Sequence, residues 1–69
     1  MSNKPDWNDA PEWANWLGID ADGQCYWFSL EPELLNMWEW VTDGATDGRK
    51  VEHAGDLGQD IYPSLEPRP

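Results

Sequence analysis

Residues 16–30 read WLGIDADGQCYWFSL. Two apolar runs flank Asp22-Gly23, and such a pair between such runs marks a β-hairpin, because glycine enters the positive-φ region of a tight turn at no steric cost. Side chains alternate across a strand. In the second run Cys25 and Trp27 therefore face one side, and Tyr26 and Phe28 the other. Aromatics on both sides imply that at least one face is covered by other parts of the chain or offered to a partner.

Upstream, residues 8–18 read NDAPEWANWLG and carry helix-start signals. Asp9 suits a cap, Pro11 the first helical position, Glu12 the first turn and Gly18 the end. The pattern predicts a short N-terminal helix. Downstream, residues 31–44 read EPELLNMWEWVTDG. Leu34, Met37, Trp38 and Val41 share a helical face, whereas Trp38 and Trp40 alternate with Met37, Glu39 and Val41 as in a strand. The strand reading gives a loop over 31–36 and strands over 37–42 and 49–53. The expected fold class is α+β: a small antiparallel meander of three or four strands with the short helix packed on it.

The six tryptophans all fall within residues 7–53, the expected single folded domain. Residues 1–6 form a polar, flexible lead. Residues 54–69, AGDLGQDIYPSLEPRP, read as an extended Pro/Gly-containing tail anchored by Leu57, Ile61 or Tyr62. A domain of 69 residues buries only about 60% of the surface its unfolded chain exposes. Cys25 is the only cysteine, so no internal disulfide staples it, and a lone thiol fits a reducing compartment. With His53 the only histidine, no usual zinc set assembles. The core must come from aromatics. Trp13, Trp16, Trp27 and either Trp38 or Trp40 are core candidates; Trp7 and Trp40 are candidate exposed anchors, since tryptophan is enriched at binding hot spots.

Fourteen Asp and Glu oppose four Lys and Arg, a formal net charge of −10. That balance argues against direct binding to nucleic acid, which needs a basic footprint, and against an anionic membrane surface. Two plain readings are solubility and disorder; the tryptophans oppose disorder for residues 7–53. The start MSNKPDWND lacks the basic and apolar regions of a signal peptide, and no stretch approaches the roughly 18 apolar residues of a membrane span. The expectation is a soluble protein.

Catalytic signals are weak. The stretch DADG at 20–23 begins like a calcium loop whose twelfth position would be Glu31, but Tyr26 and Trp27 interrupt it and its glycine comes early. A turn is preferred to a metal site. Cys25 with His53 as base would make a nucleophile pair, yet a strand cysteine is more often a small core residue. No phosphate loop is present, and so short a chain leaves little room for a substrate cavity. The expectation is no enzyme and no cofactor.

The carboxylates suggest a surface instead. Residues two apart on a strand lie about 6.6 Å apart on one side, near the phosphate spacing along one DNA strand. Asp20 and Asp22 start such a row and Glu31 and Glu33 extend it; Glu39, Asp43 and Asp47 form a second. A protein with a basic groove would feel the attraction it feels from DNA. From charge alone, a solvated acidic face explains the same residues.

Residues 7–32, WNDAPEWANWLGIDADGQCYWFSLEP, resemble a pattern found in small proteins of tailed bacteriophages and prophages: a Trp, an Ala-Pro pair, another aromatic, Asp-x-Asp-Gly, and an aromatic strand running to Glu31-Pro32. The resemblance spans under half the chain, and residues 33–69 carry no matching signature. It implies an early or accessory phage product acting in the host bacterial cytoplasm. In size and acidity the chain is similar to the Pseudomonas-phage gyrase-inhibitor type of DNA mimic. The resemblance thus implies a non-enzymatic inhibitor of a bacterial DNA-binding enzyme, with gyrase the first candidate and the seven carboxylates standing in for phosphates. The alternative is a phage structural or adaptor module that binds through its Trp-rich face with weak salt dependence. An exposed sheet edge would also permit a homodimer.

Overall fold

The computed structural model describes residues 4–44 and 47–69. A 3-10 turn (Trp7–Asp9) precedes six strands: β1 (Trp16–Ile19), β2 (Gln24–Phe28), β3 (Glu33–Leu35), β4 (Glu39–Val41), β5 (Val51–Asp56) and β6 (Ser64–Pro67). A four-stranded sheet has the order β5-β2-β1-β6, and β3 and β4 form a separate two-stranded hairpin. All pairings are antiparallel. The class is therefore β, and the expected α+β class is corrected.

The N-terminal helix fails for a local reason. Asp6, not Asp9, is the cap, its Oδ1 accepting the Asn8 N–H at 2.9 Å. Pro11 then disfavours the helical conformation at the residue before it, and Ala10 is extended at φ −71°, ψ 143°. One 3-10 turn is all that remains. Gly18 does not end a helix; it lies inside β1 opposite Tyr26.

The Asp22-Gly23 signal gives the hairpin it predicts. Leu17 pairs with Trp27 and Ile19 with Cys25, so these four share one face, while Trp16, Gly18, Tyr26 and Phe28 share the other. In the turn, Gly23 donates to the Asp20 carbonyl at 2.9 Å and takes φ +89°, the left-handed glycine of a short hairpin loop. The segment after β5 braces this turn: Leu57 N–H donates to the Gly23 carbonyl and Ile61 N–H to the Ala21 carbonyl, both at 2.9 Å.

The expected loop over 31–36 and strand over 37–42 become β3, a turn and β4. Asn36 (φ 54°) and Met37 (φ 59°) both adopt left-handed backbone, and Trp38 N–H closes the turn on the Leu35 carbonyl at 3.0 Å. Two positive-φ residues are the geometry of a type I′ hairpin turn, whose twist matches its strands. The strand expected at 49–53 runs instead over 51–56, with a register irregularity opposite Cys25 and Tyr26. Residues 54–69, expected as an extended anchored tail, also supply a sheet strand. β6 pairs along β1, from Trp16↔Pro67 to Ile19↔Ser64, and Arg68 N–H donates to the Asn15 carbonyl at 2.8 Å. Leu57 and Ile61 pack on the core as anticipated; Tyr62 is 85% exposed.

Burial follows the two faces. Ala14, Leu17, Ile19, Cys25 and Trp27 form the core, with Trp7, Ala10 and Trp13 packed against it from the N-terminal segment. On the opposite face, Trp40 of the second hairpin sits over Gly18. A Cβ there would lie 2.7 Å from Phe28 Cε2 and 3.1 Å from the Trp40 ring. Such overpacking costs about 1–3 kcal/mol, so Gly18→Ala is expected to lower the urea midpoint by a corresponding amount. An unchanged midpoint would mean that Trp40 is not seated on β1.

Candidate partner-binding surface

The β3–β4 hairpin sorts its residues by alternation. Glu33 pairs with Val41, Leu34 with Trp40 and Leu35 with Glu39. Leu34 and Trp40 share the face turned toward the sheet, and Glu33, Leu35, Glu39 and Val41 share the other. Continuing the same register past the ladder sets Glu31 opposite Asp43. Glu31, Glu33 and Asp43, with Leu30, Val41 and Thr42, line an open groove of about 430 Å³. Four of the seven carboxylates singled out by sequence thus come together on one hairpin, in two short rows.

The others differ. Asp22 is exposed at the β1–β2 turn, where its Oδ1 accepts the Gln24 N–H at 3.1 Å. Asp47 is exposed in the turn before β5. Asp20 is not a surface group: it is 6% exposed, and its Oδ1 accepts the Trp40 backbone N–H at 2.9 Å. Burial raises its pKa, the Trp40 hydrogen bond works against that rise, and Asp22 and Glu39 add to it. The same three acids, after burial, raise the pKa of Tyr26. Asp20, Asp22 and Glu39 therefore form a second negative centre, on the Tyr26 side of β4.

The tryptophans proposed as anchors are both half-buried and engaged. Trp7 packs on Trp27 with ring centroids 4.9 Å apart, donates from Nε1 to Glu66 Oε1 at 2.6 Å, and carries the Arg68 guanidinium 5.6 Å above its ring. Trp40 donates from Nε1 to the Ile19 carbonyl at 3.2 Å. The exposed large apolar groups lie elsewhere: Leu35 (44%), Met37 (67%) and Trp38 (53%) at the hairpin tip, with Val51 and Tyr62 apart from it. The sequence signal for that tip was Asn36, a residue that tolerates left-handed backbone, set between Leu34-Leu35 and Trp38.

Cys25 and His53 do not meet as a pair. Cys25 is fully buried on the core face, its Sγ 3.4 Å from the Gly23 carbonyl, and burial, with Asp56 and Asp20 nearby, pushes its thiol up to about 11. His53 stands on the opposite face beside Tyr26, with Nε2 2.7 Å from Gln24 Oε1. A buried neutral thiol is a core residue, not a nucleophile. At the N-terminal seam, Lys4 pairs with Glu66, and this bond and that of Trp7 lower the Glu66 pKa against a smaller opposing effect of burial.

Comparison with protein-family models, with curated proteins and with solved structures finds no match. No helix among the described residues is long and apolar enough to cross a membrane. The fold and surface define a small antiparallel β protein whose second hairpin carries acidic and apolar groups side by side.

Asp20 supplies a test of the hairpin's attachment. Its folded pKa lies above the ordinary value, so its contribution to stability is complete below the usual carboxylate range and is lost as pH rises through the raised value. Asp20→Asn keeps an acceptor for Trp40 and removes the charge. It is expected to raise stability at pH 7 and to flatten the pH dependence across that window. Asp20→Ala strands the Trp40 N–H and is expected to cost about 1–3 kcal/mol. Chemical denaturation from pH 3 to 8 checks both.

Proposed function

We propose that the protein is a non-catalytic inhibitor that occupies the DNA groove of a bacterial DNA-handling protein, with DNA gyrase the first target to test. The observation that carries this reading is the outward face of the β3–β4 hairpin, where Glu31, Glu33, Glu39 and Asp43 stand in two rows on a well-anchored support. Glu31 and Glu33 are two residues apart, about 6.6 Å, Glu39 and Asp43 four apart, about 13 Å, and the rows are about 4.8 Å apart. Asp22 and Asp47 extend the negative surface; Asp20, nearly buried, is not part of the outward rows. The net charge of −10 supplies long-range attraction to a basic groove and raises the association rate. The resemblance of residues 7–32 to small phage proteins motivates the choice of a host target in the bacterial cytoplasm.

Tagged protein should capture its target from bacterial lysate, and both competing duplex DNA and high salt should release it. Glu31→Lys with Glu33→Lys changes exposed groups only, so the fold should persist while capture weakens by about tenfold or more. Unchanged capture by the double variant, or a gyrase supercoiling assay that is indifferent to the protein together with DNA-resistant capture, overturns mimicry.

A second reading has its own observation. Met37 and Trp38 are the exposed apolar tip of the same hairpin, and Met37 holds left-handed backbone that costs an ordinary residue energy. An adaptor protein would bind through this tip. Met37→Gly relieves the backbone and is expected to stabilise the fold by about 1 kcal/mol. If the tip is the contact, the same substitution lowers a capture that resists salt and DNA; under mimicry it leaves capture close to the wild-type level.

A further inference from the structure

Between β2 and β4 lies a second, smaller cleft of about 200 Å³. Tyr26, Phe28 and Trp40 supply aromatic walls, Asp20 and Glu39 carboxylates, and Arg49 also lines it. This volume is below the roughly 300–1,000 Å³ of sites for drug-sized ligands; it suits a single long side chain. The neighbouring acidic groove has no aromatic among its lining residues and is a less selective surface.

Asp20 makes the cleft more than a cluster of acids. One of its oxygens holds the Trp40 N–H. The other accepts no hydrogen bond among the described residues, and none of their buried side-chain polar atoms is both enclosed and unpartnered. That oxygen therefore keeps some exposure, and Asp20 is a lining residue of the cleft. A carboxylate so nearly buried, with one oxygen unbonded and aromatic rings lining the same cleft, suits a cationic donor. Among the described residues Arg49 forms no ion pair with Asp20 or Glu39, and its Nε donates instead to Thr42 Oγ1 at 2.9 Å.

We propose that this cleft receives a single arginine side chain of the partner, its guanidinium plane against Tyr26 and Trp40 and its N–H groups toward Glu39 and the open oxygen of Asp20. A guanidinium is planar, weakly hydrated and stacks on aromatic faces while donating in its own plane. An ammonium is a compact, strongly hydrated charge that uses such walls less well. The negative potential around Tyr26, set by Asp20, Asp22 and Glu39, favours either cation, so the aromatic walls decide between them. This inference rests on the reading of the protein as a binder of a basic partner, and it names the side chain that partner inserts.

The test uses the full chain alone, labelled with nitrogen-15 and titrated with N-acetyl-arginine methylamide or the lysine analogue at constant ionic strength. The arginine probe should produce saturable shifts at the Trp40 indole N–H and the Tyr26 and Phe28 rings, with an affinity on the order of millimolar. It should exceed the lysine probe by about threefold or more. Glu39→Gln alters an exposed group and should weaken binding by about threefold or more; Asp20→Asn, which keeps the Trp40 bond, should do likewise. Shifts spread over all carboxylates, equal response to both probes, or an unchanged Glu39→Gln titration overturns the assignment. A cleft that takes arginine in a protein that captures no DNA-handling target removes the mimicry reading and supports the cleft. Capture of such a target by a protein whose cleft ignores arginine removes the cleft assignment alone.

Discussion

Three consecutive residues of the first hairpin, Ile19, Asp20 and Ala21, hold the second. The Asp20 carboxylate takes the backbone N–H of Trp40 at 2.9 Å, and the Ile19 carbonyl takes its indole N–H at 3.2 Å. Ala21 N–H adds a bond to the Trp38 carbonyl at 2.8 Å. The Trp40 ring can lie close enough for these bonds only because position 18 has no side chain. The β3–β4 hairpin is short, and a lone two-stranded hairpin is marginal in water. Its shape, and with it the position of every carboxylate it carries, therefore depends on this attachment. A buried carboxylate would ordinarily be a poor device for the task, since its charge opposes burial. Here the charge is tolerated because one oxygen is bonded and the other keeps an opening.

Sequence reading succeeded where the determinant was local. Asp22-Gly23 names its own conformation, and the alternation of Gln24 to Phe28 then assigns faces without reference to anything distant. It failed where one residue type serves two purposes. Asp, Pro and Glu open helices, but they also cap single turns and break chains; Pro11 acted on the residue before it and not on those after. Gly18 looked like a helix stop because its packing partners, Phe28 and Trp40, lie far along the chain. β6 was invisible for the same reason. Ser64–Pro67 has neither length nor β-branched residues, and it is a strand because β1 presents it with an edge.

The candidate site shows the same division. Composition announced an acidic surface, but no spacing rule could tell that Asp20 turns inward while Glu31, Glu33, Glu39 and Asp43 share a hairpin. The alternation that separates them depends on where the turn falls. A turn at Asn36-Met37 puts Trp38 outside and Trp40 inside; the strand imagined from residue 37 gives no reason to distinguish them. The expected anchors Trp7 and Trp40 are each tied into the fold for a related reason. Each has an indole N–H that finds a buried or partly buried acceptor, which large aromatics seek when they pack.

The attachment and the small cleft share one carboxylate, and that ties stability to occupancy. With its charge opposed by burial and by Asp22 and Glu39, ionised Asp20 works against the fold it helps to hold. A cation seated in the cleft would offset both terms, burial by replacing lost hydration and the neighbouring acids by direct attraction. It would lower the Asp20 pKa toward the ordinary range and tighten the hairpin on the sheet. Anything that binds only the folded state stabilises it by mass action, and here the gain falls on the joint between the two hairpins. The outward rows of Glu31, Glu33, Glu39 and Asp43 would then be held most firmly when the partner is engaged. Self-repulsion among so many carboxylates is a cost in the free protein. A basic partner removes that cost, so the arrangement least favourable alone is the one most responsive to binding.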